Sequence, residues 1–175
     1  MSSTDPFVDI LTVIDAKSIV EDFSNNRGSK DRPAGLGNNA GEYIYMLVKR
    51  SVVSGAEAYY ELKVDVKTND ILRWRTASLT MNTGYSTLAY GMTVSAGAGL
   101  ITSPQPFETS IKIPTPQLNG GSIGSVGTQP YKDFFFQTTA QQPGNVTYQI
   151  QFMLSDSEGK AWGYFTWDPY ISISR

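Results

Sequence analysis

The chain contains no histidine and no cysteine among its 175 residues. Without histidine it lacks the side chain that most readily exchanges protons near neutral pH. Serine–histidine triads are excluded, as are most metal-binding combinations. Without cysteine there is no disulfide framework, no thiolate nucleophile and no zinc–thiolate site. Charge is scarce as well. Charged residues make up 17% of the chain, against about 25% in an ordinary globular protein. The net charge is −2 and the longest basic run is Lys49-Arg50, so no nucleic-acid partner is expected. The longest apolar run, YIYMLV at 43–48, is far too short to span a bilayer, and no membrane partner is expected. The start of the chain, MSSTDPFVD, has neither the basic beginning nor the apolar stretch of a signal peptide, which points to the cytoplasm. Carboxylates, lysine and tyrosine are what remain for catalysis. An enzyme is therefore not expected, and neither is a cofactor or a metal.

Apolar residues reach 40% and aromatic residues 12%, enough to build the core of one domain over residues 1–175. Because so few residues are charged, serine, threonine, asparagine, glutamine and glycine must make up much of the surface. Such a surface repels its own copies only weakly.

Period-two alternation dominates the pattern. In YYELKVDV (59–66), Tyr60, Leu62, Val64 and Val66 share one face while Glu61, Lys63 and Asp65 take the other. In VTYQIQFMLS (146–155), Tyr148, Ile150, Phe152 and Leu154 face inward. EYIYMLVK (42–49) is apolar on both faces, which predicts a central or covered strand. Further strands are predicted at 8–14, 71–79, 85–94, 107–113, 131–139, 161–167 and 170–174. Many short strands joined by turn-rich segments predict an all-β fold, a two-sheet antiparallel β-sandwich of about ten strands. One short helix is expected at 16–23, capped by Asp15, with Ile19, Val20 and Phe23 on its buried side. Two stretches read as long loops, the polar SNNRGSKDRPAGLGNNAG (24–41) and the Gly/Ser/Pro-rich PTPQLNGGSIGSVGTQP (114–130). Loops this long are functional or mobile.

Five residues are candidates for ligand binding. In ILRWRTASL (71–79), alternation sends Trp74 inward and Arg73 and Arg75 outward together. Two arginines on one strand face repel unless paired. Outward carboxylates such as Glu61 and Asp65 are the expected partners, and an anionic or carbohydrate ligand or a second chain is the alternative. In SDSEGK (155–160), Asp156 and Glu158 stand two apart before a glycine. A solvated turn accounts for them better than a calcium site, which needs six or more oxygen ligands. WGYFTWDPY (162–170) places Trp162 and Tyr164 on one face and Phe165 and Trp167 on the other. One set belongs to the core; the other would pack against a chain or loop, or offer a sugar ring a platform. No catalytic residue is identified.

Taken in order, DILTVIDAKSIV (9–20), YIYMLV (43–48), DILRWRTASLTMNTGYSTLAYG (70–91) and GKAWGYFTWDPYISIS (159–174) resemble the bacterial PixA/AidA inclusion-body protein family. The resemblance spans nearly the whole chain. It implies a small bacterial cytoplasmic protein without agreed catalytic activity. Some members accumulate as crystalline inclusions, and others are induced by quorum sensing. Together with the low charge and amide-rich surface, this leads to the expectation of a non-enzymatic, self-associating protein, a homodimer or higher oligomer; a lectin-like carbohydrate-binding module, suggested by the sandwich class and the aromatic residues near loops, is the alternative. The founding inclusion proteins are methionine-rich, whereas this chain has 5 methionines, which argues against methionine storage.

Overall fold

The computed structural model describes residues 6–54 and 60–175. Tyr59, at the head of one predicted strand, lies outside the described residues. The strands are β1 (Phe7–Ile14), β2 (Ala34–Gly35), β3 (Ile44–Val48), β4 (Val53–Ser54), β5 (Lys63–Lys67), β6 (Ile71–Ser78), β7 (Ser86–Ala96), β8 (Gln105–Asn119), β9 (Ser122–Thr139), β10 (Gly144–Ser155), β11 (Ala161–Trp167) and β12 (Tyr170–Ser174). They form two sheets. The β1 sheet runs β3-β1-β6-β9-β8; the β10 sheet runs β2-β11-β10-β12-β5-β4, with β7 on the other side of β10. The all-β fold of two sheets with one short helix is as the alternation predicts. Each of the ten predicted strands has a counterpart, and the two-residue β2 and β4 are added.

Strand direction differs from the expectation of a purely antiparallel sandwich. β1 pairs with β6, β12 with β5 and β11 with β2 in parallel. Parallel neighbours need a long connection, and residues 15–70 supply it between β1 and β6. Alternation encodes which face a side chain takes but not the direction of the neighbouring strand, so both sheets are mixed.

The sheets meet through their alternate residues. Val8, Ile10 and Ile14 of β1 and Leu72 and Trp74 of β6 are buried against Val146, Tyr148, Ile150, Phe152 and Leu154 of β10. Trp74 and Tyr148 tie the layers together. Their rings meet edge to face at 5.3 Å, and Trp74 Nε1 donates to Tyr148 Oη at 2.9 Å. The hydrogen bond lets both polar atoms sit in the core without the cost of an unpaired donor. Burial drives the Tyr148 phenol strongly upward from its usual pKa, so it stays neutral.

The helix Ala16–Asp22 forms where expected, with Asp15 Oδ1 accepting from the Ser18 backbone at 3.1 Å and Ile19 fully buried. YIYMLV does not become a central strand. Among the described residues β3 is an edge strand paired with β1 alone, and Leu47 points outward, 41% exposed.

The glycine-rich stretch 114–130 is not a loop either. Gly120 and Gly121 both take positive φ, 58° and 85°, the conformation a tight two-residue hairpin turn demands. β8 and β9 therefore run on as one ladder from Gln105↔Gln137 to Asn119↔Ser122. β9 pairs with β6 only over Phe136–Thr139, so the distal half of this hairpin extends as a two-stranded arm.

Candidate functional site

Arg73 and Arg75 lie on the outer face of the β1 sheet, as alternation requires. Their partners are Asp9 and Asp133 rather than Glu61 or Asp65. Arg73 grips Asp9 with Nε at 2.8 Å and Nη2 at 2.7 Å. Arg75 reaches the same carboxylate with Nη1 at 2.6 Å and clasps Asp133 with Nε at 2.8 Å and Nη2 at 2.7 Å. Asp65 is carried on β5 in the other sheet, so nearness in sequence misleads here. Parallel pairing instead sets Asp9 directly beside Arg73. Asp133 enters from β9, one strand farther across.

The forked geometry engages both guanidiniums with carboxylates of the same sheet. Partial burial pushes the Asp9 carboxyl upward, but the hydrogen bonds and charges of Arg73 and Arg75 outweigh it and hold Asp9 below its ordinary 3.8. The hydrogen bonds that Arg75 donates to Asp133 are the main cause that raises Arg75, against a smaller opposing effect of burial.

Aromatic rings alternate with this network. The Arg73 guanidinium lies 4.1 Å from the Phe7 ring centre and that of Arg75 lies 4.6 Å from Phe135. Phe107 stacks on Phe135 at 5.9 Å. Leu11 faces Leu47 in the ladder. Leu11, Leu47, Phe107, Ile111 and Tyr131 are all exposed large apolar residues of this sheet. A shallow groove of about 180 Å³ runs between Asp9, Leu11, Leu47 and Arg75. The face is thus apolar with a neutralised charge cluster at its centre.

Trp162 lies elsewhere, at the register shift between β10 and β11, where it packs against the edge of the core. Phe165 and Trp167 form the core set of that strand. Trp162 stacks near Phe165 at 6.2 Å and meets Tyr85 at 6.3 Å, and Arg27 places its guanidinium 4.5 Å from the indole centre. Arg27 comes from the polar segment 24–41. That segment is fastened to the sheet by the Tyr164 backbone donating to Arg27 O at 2.7 Å and by Tyr90 Oη donating to Lys30 O at 3.0 Å. Gly28, at φ 59°, would set a Cβ 2.4 Å from Tyr164 O, so only glycine permits the close approach. The segment covers this face.

Asp156 forms a turn rather than a ligand cage. Its Oδ1 accepts from the backbones of Glu158 at 3.0 Å and Lys160 at 2.9 Å, and Gly159 takes φ 77°. Glu158 is exposed on the same turn. Among the described residues no group of three or more acidic side chains is placed to hold a metal. The candidates therefore separate: Arg73 and Arg75 on the β1 sheet, Asp156 and Glu158 in the β10–β11 turn, and Trp162 beneath Arg27. A cavity of about 490 Å³ between Lys49, Asp65, Lys67 and Asp70 contains none of them. Asp9, Asp133 and Arg27 are the residues that sequence reading missed. Asp9 carried a signal, since it interrupts the apolar pattern of β1 on the side that faces out.

A family model described as PixA, inclusion body protein, matches residues 6–173. The crystal structure of an inclusion body protein (PixA) from Burkholderia cenocepacia is similar at a TM-score of 0.74 and 20% identity, covering 99% of each chain. A cysteine protease inhibitor of Entamoeba histolytica aligns over 64% of this chain and 86% of its own at a TM-score of 0.30 and 14% identity. That likeness is too loose to carry an argument. No curated protein sequence matches the chain.

Proposed function

Because this chain belongs to the PixA inclusion body protein family, we propose that it works by accumulating and associating with its own copies rather than by catalysis. The observation that carries the proposal is the outer face of the β1 sheet. It exposes Leu11, Leu47, Phe107, Ile111 and Tyr131, and its arginines are already neutralised by Asp9 and Asp133. Large exposed apolar faces of this kind mark protein contacts. A face without net charge meets its own copy with little repulsion. The protein accumulates in cytoplasmic inclusions, in step with quorum sensing or entry into stationary phase. Light scattering over a broad concentration range tests the association: the weight-average mass rises with concentration. A mass fixed at that of one chain would refute it. Immunoblots across a growth curve test the timing.

The carbohydrate-binding reading draws less support. Arg27 covers Trp162 and Asp156 spends its carboxylate on the turn. Binding on a glycan array, with or without calcium, would revive it.

A further inference from the structure

The arm formed by the distal halves of β8 and β9 continues the inner face of the β1 sheet beyond the body of the protein. Pro116 lies opposite Val126 and Leu118 opposite Ile123, so these side chains share a face. In the body that face is covered by the β10 sheet; along the arm it is bare. Leu118, Ile123 and Val126 are 75%, 67% and 68% exposed. Two paired strands alone are marginally stable in water, which makes a missing second layer costly.

We propose that a second copy of this chain supplies that layer. Under a two-fold axis the Leu118–Ile123–Val126 stripe of each arm lies on the Leu11–Leu47–Phe107 face of the other copy. This rests on the self-association reading above and says which surfaces carry it.

Three observations select a second copy over other occupants. The arm between Ile113 and Pro130 carries no charged side chain, and the receiving face has its arginines and aspartates paired with one another. A charged peptide or polyanion finds no unpaired charge in that cluster, whereas these two neutral surfaces suit each other. Pro106, Pro114 and Pro116 all fall on alternate residues of β8, which keeps its register with β9 from Gln105 to Gln117. Their missing N–H groups therefore belong to the free edge of β8, which discourages a peptide from adding there as a further strand. Size also fits. Seven residues of strand reach about 24 Å, comparable to the width of a five-stranded sheet at about 4.8 Å per strand. One such contact is small, but a two-fold axis makes two.

Complementation tests the exchange. One variant carries Leu118→Glu and Ile123→Glu in the arm; another carries Leu11→Glu and Leu47→Glu on the face. All four sites are exposed, so circular dichroism and the melting temperature should stay close to wild type for both. Each variant alone should sediment as a monomer at concentrations where wild type dimerises. Their mixture should form a one-to-one complex at higher concentration than wild type needs, since it holds one intact arm-to-face contact where wild type holds two. If either variant dimerises like wild type, or the mixture stays monomeric, the exchange is wrong while self-association survives. A monomeric wild type would instead remove the self-association reading itself.

Discussion

The two outer faces of this sandwich use the same chemistry and finish it differently. On the β10 sheet, Trp162 is covered by Arg27 from the chain's own polar segment, and Tyr90 and Tyr164 help fasten that segment down. The rest of that face includes Gln149, Gln151, Thr166 and Ser172 on its outward positions. On the β1 sheet, arginines also lie over aromatic rings, but they come from the sheet itself and are neutralised by Asp9 and Asp133. Among the described residues no segment crosses above Leu11, Leu47 and Phe107, which remain exposed. An arginine–aromatic pair thus has no fixed meaning. It closes a surface when a loop delivers the arginine, and it flattens and neutralises a surface when the strand itself does.

Four changes would break or sharpen this contrast. Trp74→Ala strikes the core beneath both faces. It opens a cavity and leaves Tyr148 Oη without its donor, and should cost about 4 kcal/mol in denaturant unfolding. A small effect would mean that the two sheets are not joined there. Asp133→Ala touches only the β1 sheet. It deprives the half-buried Arg75 of its bidentate partner and should cost about 2 kcal/mol, with the fluorescence of Trp162 unchanged. Arg27→Ala is the reciprocal test. It should cost about 1 kcal/mol, increase iodide quenching of tryptophan emission, and leave association unaffected.

The smallest effect is the pH dependence of Asp9. Its carboxyl is held below the ordinary 3.8, so its contribution is fully present above that value and is lost as pH falls through the depressed folded value. Wild type should therefore lose stability below about pH 4 more steeply than Asp9→Asn does. Parallel curves for the two proteins would show that Asp9 is not held by the arginines.

The alternation made the inward role of Trp74 and the outward pairing of Arg73 with Arg75 legible before any coordinates. The Asp15 cap was legible too, because capping is local. What escaped was everything set by which strand lies beside which. Asp9 and Arg73 are far apart in the chain and become neighbours through a parallel pairing that no local pattern encodes. YIYMLV reads as buried on both faces, yet its outward Leu47 is left exposed at an edge. The Gly/Ser/Pro content of 114–130 argues against strand, but prolines on a free edge and a Gly-Gly turn permit a hairpin. The Arg73-Trp74-Arg75 run is part of the β1 sheet's scaffold, with Trp74 bonded in the core and both arginines paired to aspartates on the outer face.

Hydroxyl-radical footprinting at increasing protein concentration tests the contrast between the two faces most directly. Leu11, Leu47, Phe107 and Leu118 should become protected together, while Leu88 and Met153 of the β10 sheet stay equally reactive. Protection of the β10 face, or unchanged reactivity on both, would contradict the account.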